Sequence, residues 1–391
     1  MAFSPLPLSY CTNVHPGRTL AEVEAGLDEF TVPIQQRFGR PLAAGLWLAQ
    51  PIIRELRTTP EGVARFREGL TRRGLTCHTL NAFPYGDFHS VRVKEQVYLP
   101  DWTDERREIY TIQCAEVLAE LLPDGVDGSI STMPLGFKEL SERPGFVEAC
   151  IARLLDVAVA LDRLRETTGR TIRIAIEPEP ACVLETTAEA LAFFERLFVA
   201  ASERGIEALT RNHLGLCYDV CHQAVEFEDI PASLELIRSS GIRINKLHVS
   251  CAIHLDTPAG DPVARQALAR YVEPRYMHQT FALLQDGRRV SVTDLTTDLA
   301  AVPQDDFAEA IAWRVHFHVP VDAETLGPLR TTRPELRQAL ETVVNWDVAP
   351  HLEVETYTWE VLPDGGRPNL VEGFSRELIA TQAMLDEIAR R

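Results

Sequence analysis

The sequence lacks the features that would place a protein in a membrane or outside the cell. It has no run of about 18 apolar residues, so no spanning helix is predicted. Residues 1–10 lack a basic segment followed by an apolar stretch, so no signal peptide is predicted. The 8 cysteines are scattered without a C-x-x-C pair, which is typical of buried, reduced thiols. We therefore expect a cytoplasmic protein.

Positive charge is also scarce. The chain carries 39 Lys and Arg residues against 57 Asp and Glu residues, which gives a formal net charge of −18. A surface this acidic repels nucleic-acid phosphates and anionic lipids, so we expect neither nucleic acid nor a membrane as a partner. A small molecule remains the expected ligand.

What the sequence does contain is an alternation of short apolar runs with amphipathic stretches. Eight such runs separated by helical patterns predict a parallel sheet with helical crossovers. At 391 residues, closure into one (β/α)8 TIM barrel over residues 1–391 is the expected fold. The predicted strands are 10–14, 45–48, 75–83, 128–133, 172–177, 215–220, 245–250 and 352–357. The predicted helices are 20–38, 60–73, 103–122, 146–167, 187–204, 232–239, 334–345 and 371–389.

One segment breaks this rhythm. Residues 254–310 are polar, rich in Asp and Thr, and contain a strand-like run at 289–293. We interpret them as an insertion between the seventh and eighth barrel units. Such an insertion is predicted to form a lid or a contact within a homo-oligomer.

Charged residues end four of the late strands. Because side chains alternate along a strand, Glu177 lies opposite the isoleucines of its strand and points into the barrel. The same alternation turns Asp219 and His248 inward, and it turns both Glu353 and Glu355 inward on the last strand. Barrel enzymes keep their sites at this carboxyl-terminal mouth. Glu355 is preferred over Glu353 as a site residue because it lies nearer the mouth.

A divalent cation would resolve the repulsion among these groups. Buried like charges repel each other and are costly to desolvate. Carboxylates and an imidazole suit Mn²⁺, Zn²⁺, Co²⁺ or Mg²⁺. The sequence therefore predicts a metal site at Glu177, Asp219, His248 and Glu355; the alternative is that each residue forms a separate salt bridge.

Other polar residues near the predicted mouth have open roles. His222 directly follows the Asp219 strand, as a ligand or as an orienting group. His316 and His318 share one face of a run at 313–319, where they would bind a second metal, bind substrate or pack on the insertion. The predicted substrate-binding residues are His15, Asn81, Lys246, Glu353 and Trp359.

Several stretches resemble the xylose isomerase-like barrel superfamily, which includes sugar-phosphate isomerases and epimerases. They are IAIEP, CYDVCH, KLHVS and HLEVETY. The resemblance implies metal ligands at Glu177, Asp219, His222, His248 and Glu355. The chain resembles EboE-type metabolite traffic proteins more closely, through YCTNVHPG, LNAFPYGDFH, VYLPDW, GSISTMPLGFK, WRVHFHVP and HLEVETYTW. That resemblance runs from Tyr10 to Trp359 and implies a role in processing or exporting a metabolite.

Three functions remain open on the sequence. The leading hypothesis is a metal-dependent isomerase or epimerase for a sugar- or cyclitol-like polyol, with Glu177 and Glu355 as the catalytic proton carriers. The second is a protein that binds and passes on a metabolite without converting it. The third is a metal-dependent phosphodiesterase of the endonuclease IV type, which the H-x-H pair favours and the negative charge disfavours.

Overall fold

A computed structural model describes residues 3–363 and 370–390. Within these residues, eight parallel strands close into a barrel in the order β1-β14-β7-β6-β5-β4-β3-β2. The barrel strands are β1 (Ser9–Cys11), β2 (Ala43–Trp47), β3 (Thr79–Asn81), β4 (Gly128–Thr132), β5 (Ile172–Ile176), β6 (Leu214–Asp219), β7 (Ile244–Val249) and β14 (His351–Val354). The predicted (β/α)8 TIM barrel is confirmed.

The helices of the described residues lie between and after the strands. They are α1 (Leu20–Gly26), α2 (Val32–Phe38), α3 (Gln50–Thr58), α4 (Gly62–Arg72), α5 (Glu105–Leu121), α6 (Phe146–Thr168), α7 (Thr187–Glu203), α8 (Glu207–His213), α9 (Val220–Val225), α10 (Ile230–Ser239), α11 (Pro262–Leu268), α12 (Thr297–Ala301), α13 (Asp305–Glu309), α14 (Arg333–Val343) and α15 (Leu370–Ile388). None of them combines the length and apolar character that a membrane-spanning helix needs.

Local sequence signals explain several of these boundaries. Thr186 caps α7 by accepting from the Glu189 backbone, while the Glu189 side chain accepts from the Thr186 backbone. In β5 the isoleucines at 172, 174 and 176 are fully buried. Alternation along the strand therefore leaves Glu177 at its end directed to the barrel interior.

The insertion is larger than predicted. Strands β8 (Ile253–Asp256), β9 (Thr280–Leu283), β10 (Arg289–Val292), β11 (Ala312–Val315), β12 (Thr325–Leu326) and β13 (Leu329–Thr331) form a second, antiparallel sheet between β7 and α14. We call it the inserted sheet. The predicted end at residue 310 is wrong because β11 pairs with both β8 and β9. Its Trp313 and Val315 are buried, so polarity alone did not mark them as part of the insertion.

Some predicted elements are shorter or divided. The first strand ends at Cys11, and residues Thr12–Val14 form a 3-10 turn. The predicted helix 20–38 is interrupted by a π-helical stretch at Leu27–Thr31. The last strand ends at Val354, which puts Glu355 just beyond it. Hydrogen-bond pairing with neighbouring strands determines where each strand ends. The alternation of hydrophobic residues in the sequence does not show that pairing.

Candidate metal centre

Four predicted residues meet at the carboxyl-terminal mouth of the barrel. Glu177 directly follows β5, Asp219 ends β6, His248 lies in β7, and Glu355 directly follows β14. One potential ligand atom from each lies within 4.8 Å of the other three, and all four residues are buried. We call them the four-residue cluster. The structure therefore brings together the four residues that alternation along the strands predicted to face the barrel interior.

One ring nitrogen stands at the centre of the cluster. Nδ1 of His248 is 2.8 Å from Glu355 Oε2, 3.0 Å from Glu177 Oε1 and 3.2 Å from Asp219 Oδ2. A single N–H cannot serve three carboxylates at once. Glu177 Oε2 is buried and has no hydrogen-bond partner among the described residues. Three carboxylates and one imidazole nitrogen fit a divalent cation, because such a donor set suits Mg²⁺, Mn²⁺ or Zn²⁺.

The two glutamates of the last strand take different places. Glu355 Oε1 accepts hydrogen bonds from Asn13 at 2.9 Å and from Asn81 at 3.2 Å, so its other oxygen is held toward His248. Glu353 Oε2 instead lies 3.2 Å from the opposite nitrogen, His248 Nε2. Glu355 is therefore the carboxylate of the cluster. Glu353 orients the imidazole from behind, as second-sphere carboxylates do for metal-binding histidines.

Glu353 and Lys246 form a buried ion pair beneath the cluster. Lys246 Nζ donates to Glu353 Oε2 at 2.7 Å, and both side chains are fully buried. Gly45 on β2 makes the space, since a Cβ there would lie 1.4 Å from Glu353 Oε1. The substrate-binding roles predicted for Lys246 and Glu353 do not fit this position. Residues that line the cavity and residues deeper in the barrel both point inward in the strand alternation. The alternation therefore could not show to which of these two groups Lys246 and Glu353 belong.

Burial and charge shift the pKa values of these carboxyls in opposite directions. Burial raises the pKa of Glu177 to about 7, although His248 opposes the change. Burial alone would also raise the pKa of Glu353, but Lys246 and His248 lower it to about 2. Glu353 is therefore ionised at neutral pH, and it compensates the Lys246 charge.

Three further histidines of the predicted site, His222, His316 and His318, lie next to the cluster. His222 is in α9, whose first turn is capped by Asp219 accepting from the His222 backbone N–H. His316 and His318 follow β11. Asp219, His222 and His318 form a second group whose ligand atoms lie within 4.8 Å of one another. His222 therefore faces Asp219 and His318 together, and it is not one of the four residues around His248 Nδ1.

A cavity of about 60 Å³ opens onto the four-residue cluster. Its polar floor is formed by Asn13, Asn81, Glu177, Glu179, His222, His316 and Glu355. Its apolar wall includes Phe83, Phe88, Tyr98, Tyr276, Met277 and Tyr357.

The insertion contributes directly to this cavity. Tyr276 and Met277 precede β9, and both side chains line the cavity. The Arg275 carbonyl accepts from the backbone N–H groups of Val93 and Lys94, at 2.8 and 2.9 Å. Lys94 also pairs with Asp294. These contacts join the insertion to the loop after β3 beside the cavity.

Glu179 is a cavity residue that the sequence reasoning missed. It accepts a hydrogen bond from Tyr98 Oη at 2.9 Å, and burial raises its pKa well above the ordinary value. The signal was present in the Glu-Pro-Glu sequence at 177–179, because residues two apart in extended chain point the same way.

His15 and Trp359, both predicted to bind substrate, are structural residues here. His15 stacks on Phe30 with ring centroids 4.6 Å apart and hydrogen-bonds to Tyr10 Oη at 2.8 Å. Trp359 packs on α15, where a Cβ on Gly373 would lie 2.1 Å from its ring. Trp359 Nε1 donates to buried Glu377 at 2.8 Å. Each lies just after a strand end, but the chain turns them into the surrounding core.

We expect Trp359→Phe to destabilise the fold by about 1–3 kcal/mol, because it removes the N–H that satisfies Glu377 Oε1. The binding of metal should stay unchanged. Urea unfolding and metal titration measure the two effects. Trp346→Phe is the matched control, since half-buried Trp346 donates to Glu235, whose side chain is 45% exposed, and we expect a smaller loss. Weaker metal binding at unchanged stability would contradict this role for Trp359.

Comparison with known proteins identifies the architecture. No protein-family model matches the chain, and no curated protein matches it either. Among solved structures, a xylose isomerase-like TIM barrel protein from Mycobacterium smegmatis in complex with magnesium has a TM-score of 0.53 and 12% identity, covering 100% of this chain and 99% of that chain. The fold is a TIM barrel similar to that of the xylose isomerase-like proteins. A D-tagatose 3-epimerase-like protein is similar with a TM-score of 0.50 and 13% identity, covering 98% of this chain and 99% of that chain. At these identities the likeness establishes the fold, and the chemistry has to be argued from the residues of this chain.

Proposed function

We propose that this protein is a divalent-metal-dependent isomerase or epimerase that acts on a sugar- or cyclitol-like polyol. The observation that carries the proposal is the convergence of three carboxylate oxygens on His248 Nδ1 at the floor of the cavity. Glu177, Asp219, His248 and Glu355 would hold the cation. A cation bound there would supply Lewis acidity, by chelating adjacent substrate oxygens and polarising a carbonyl.

Two carboxylates of the cluster would move the protons. Glu177 follows β5 and Glu355 follows β14, and two strands, β6 and β7, separate them around the barrel. On this proposal they would approach a bound substrate from different sides. Asn13 and Asn81 fix Glu355 Oε1, whereas Glu177 Oε2 has no partner among residues 3–363 and 370–390. One carboxylate can take a proton from carbon beside the carbonyl, and the other can return one to the opposite face.

The cavity supports a small polyol as the substrate. Its polar floor can meet hydroxyl and carbonyl oxygens, while Phe88, Tyr276 and Tyr357 offer flat surfaces to the apolar face of a ring. The two structural neighbours are consistent with this substrate class, since one is named D-tagatose 3-epimerase-like and the other is a magnesium complex. The resemblance to EboE-type proteins favours a metabolite that is processed before export.

The test is proton exchange at carbon. Metal-loaded protein is incubated in D₂O with D-tagatose, other ketohexoses and a cyclitol ketone, and each sugar is followed by NMR. We expect loss of the C–H signal next to the carbonyl of at least one substrate, and that loss should require the cation. The same mixtures with chelator-treated protein are the control.

A purely carrying role predicts a different outcome. A ligand that co-purifies or binds tightly, and is recovered with all its carbon-bound protons after incubation in D₂O with metal-loaded protein, would contradict the isomerase proposal. That result would favour a metabolite-binding protein with the same metal centre.

A further inference from the structure

One oxygen atom that borders the cavity has no hydrogen-bond partner. Asn13 is 2% exposed, and its side chain lines the cavity. Its Nδ2 donates to Glu355 Oε1 at 2.9 Å, whereas its Oδ1 is buried and unpaired among residues 3–363 and 370–390. The bond to Glu355 occupies only the NH₂ half of the amide, so the carbonyl half is available for a second role.

Neighbouring groups fix the direction of the Asn13 amide. An ionised Glu355 can only accept hydrogen bonds, so the amide turns its NH₂ group toward that carboxylate and its Oδ1 away from it. Asn13 lies in the 3-10 turn Thr12–Val14, and its backbone carbonyl accepts from His89 Nε2 at 2.8 Å. Thr12 Oγ1 also accepts from the Trp47 backbone N–H at 3.0 Å. Asn13 Oδ1 is therefore an acceptor held in one place.

Asn81 makes the same kind of bond to Glu355 but has no free oxygen. Its Nδ2 donates to Glu355 Oε1 at 3.2 Å, and its Oδ1 accepts from the Phe83 backbone N–H at 2.9 Å. Asn81 lines the cavity as Asn13 does. The two asparagines therefore share one function, holding Glu355, and differ in a single unpaired acceptor.

The charges around the cavity indicate which group can pair with Asn13 Oδ1. Glu177, Glu179 and Glu355 line the cavity. Lys94 is the only lysine or arginine of its described lining, and its Nζ donates to the Tyr276 carbonyl at 3.1 Å and pairs with Asp294. An ionised phosphate or carboxylate would bring more acceptors to an acceptor in acidic surroundings. A hydroxyl supplies the hydrogen that Oδ1 lacks without adding charge.

We propose that Asn13 Oδ1 binds a free hydroxyl of the substrate and so determines substrate specificity. The same amide donates to Glu355, so this hydroxyl would lie beside the carbon at which Glu355 moves a proton. A site built to bond a hydroxyl rejects the analogue that lacks it, because the buried acceptor is then left unpaired. The inference rests on the proposed function for the identity of the reacting carbon.

Binding of deoxy analogues tests this contact without any assay of turnover. Metal-loaded full-length protein is titrated in a calorimeter with D-tagatose, or with whichever ketohexose or cyclitol ketone of the exchange test binds most tightly. The derivatives of that compound that each lack one hydroxyl are titrated in the same way. We expect one derivative to bind the wild type about 10–100-fold more weakly than its parent, the usual effect of an unpaired buried acceptor. In Asn13→Ala this penalty should disappear, since the acceptor is gone.

Asn81→Ala is the matched control. It removes the other hydrogen bond to Glu355 Oε1 but leaves Asn13 Oδ1 in place. We expect weaker binding overall, with the wild-type penalty for the same derivative retained. Metal content is measured on every sample, so that a change at Glu355 is not mistaken for loss of the hydroxyl contact.

A crystal structure of the metal-loaded wild type with the parent compound decides the matter even if the variants fail to fold. We expect a ligand hydroxyl about 2.7–2.8 Å from Asn13 Oδ1. A water molecule in that place, equal binding of all derivatives by the wild type, or a penalty that persists in Asn13→Ala overturns the contact and leaves the isomerase proposal standing. A hydroxyl on Oδ1 of a ligand that keeps all its carbon-bound protons in D₂O supports the contact and contradicts the proposed function. A wild type that binds none of the ketohexoses and cyclitol ketones overturns both.

Discussion

Replacing either Glu177 or Glu355 with Gln should lower kcat/KM for proton exchange about 10²–10⁴-fold, the usual contribution of a positioned proton carrier. Both carboxylates touch His248 Nδ1, at 3.0 and 2.8 Å, and both border the cavity. Gln keeps the shape of the side chain and one carbonyl oxygen, but it cannot accept a proton from carbon. The loss is measured as deuterium incorporation into the substrate that the D₂O exchange experiment identifies.

Metal content must be measured on the same samples, because both residues are also expected ligands. A variant that keeps its cation and loses exchange identifies a proton carrier, whereas parallel loss of both identifies a ligand. The control is Glu372→Gln on α15, whose side chain is 66% exposed, and we expect unchanged exchange. Full exchange activity in both cluster variants would rule out the mechanism.

The second large effect is expected on stability, at Lys246. Replacing it with Met should reduce the free energy of unfolding by about 3–5 kcal/mol, because Glu353 would keep a buried charge without its cation partner. The Met side chain fills most of the space of the lysine stem, so cavity formation adds little. Urea unfolding measures the change.

Two variants show whether the charge pair is the cause. Lys246→Met combined with Glu353→Gln removes both charges, and we expect it to recover part of the lost stability. Lys138→Met is the matched lysine control, since Lys138 pairs with Glu185 and Glu189 but is 43% exposed, and we expect a loss of at most about 1 kcal/mol. A Lys246→Met protein of normal stability but weakened polyol binding would instead restore the role predicted from the sequence.

Glu355 shows where sequence reasoning reached its limit. Alternation along a strand turned both Glu353 and Glu355 into the barrel, and the choice between them rested on nearness to the mouth. Only the packed structure shows that Glu353 meets Lys246 and His248 Nε2, while Glu355 meets His248 Nδ1. Depth within the barrel depends on strand tilt and register, which a pattern of alternation does not contain.

His222 and Glu179 show a related limit. The sequence showed only that His222 follows the Asp219 strand, whereas the structure shows that it lies in the short helix α9 that Asp219 caps. Glu179 was passed over, although it lines the cavity with Tyr98. Cavity walls are assembled from loops that are distant in the chain, so alternation within one segment does not show which of their residues meet in the cavity.

By itself the sequence determined the closed barrel, the insertion after the seventh unit, and the four groups at the strand ends. These follow from local rules, because alternation and helix capping act over a few residues. Only the tertiary structure shows that Lys246 and Glu353 neutralise each other and that Trp359 donates a hydrogen bond to Glu377. It also shows that the inserted sheet extends to Thr331. It also brings Nε2 of His222 to 3.3 Å from Nε2 of His318. Each of these depends on a contact between distant parts of the chain, and such contacts form only when the barrel closes.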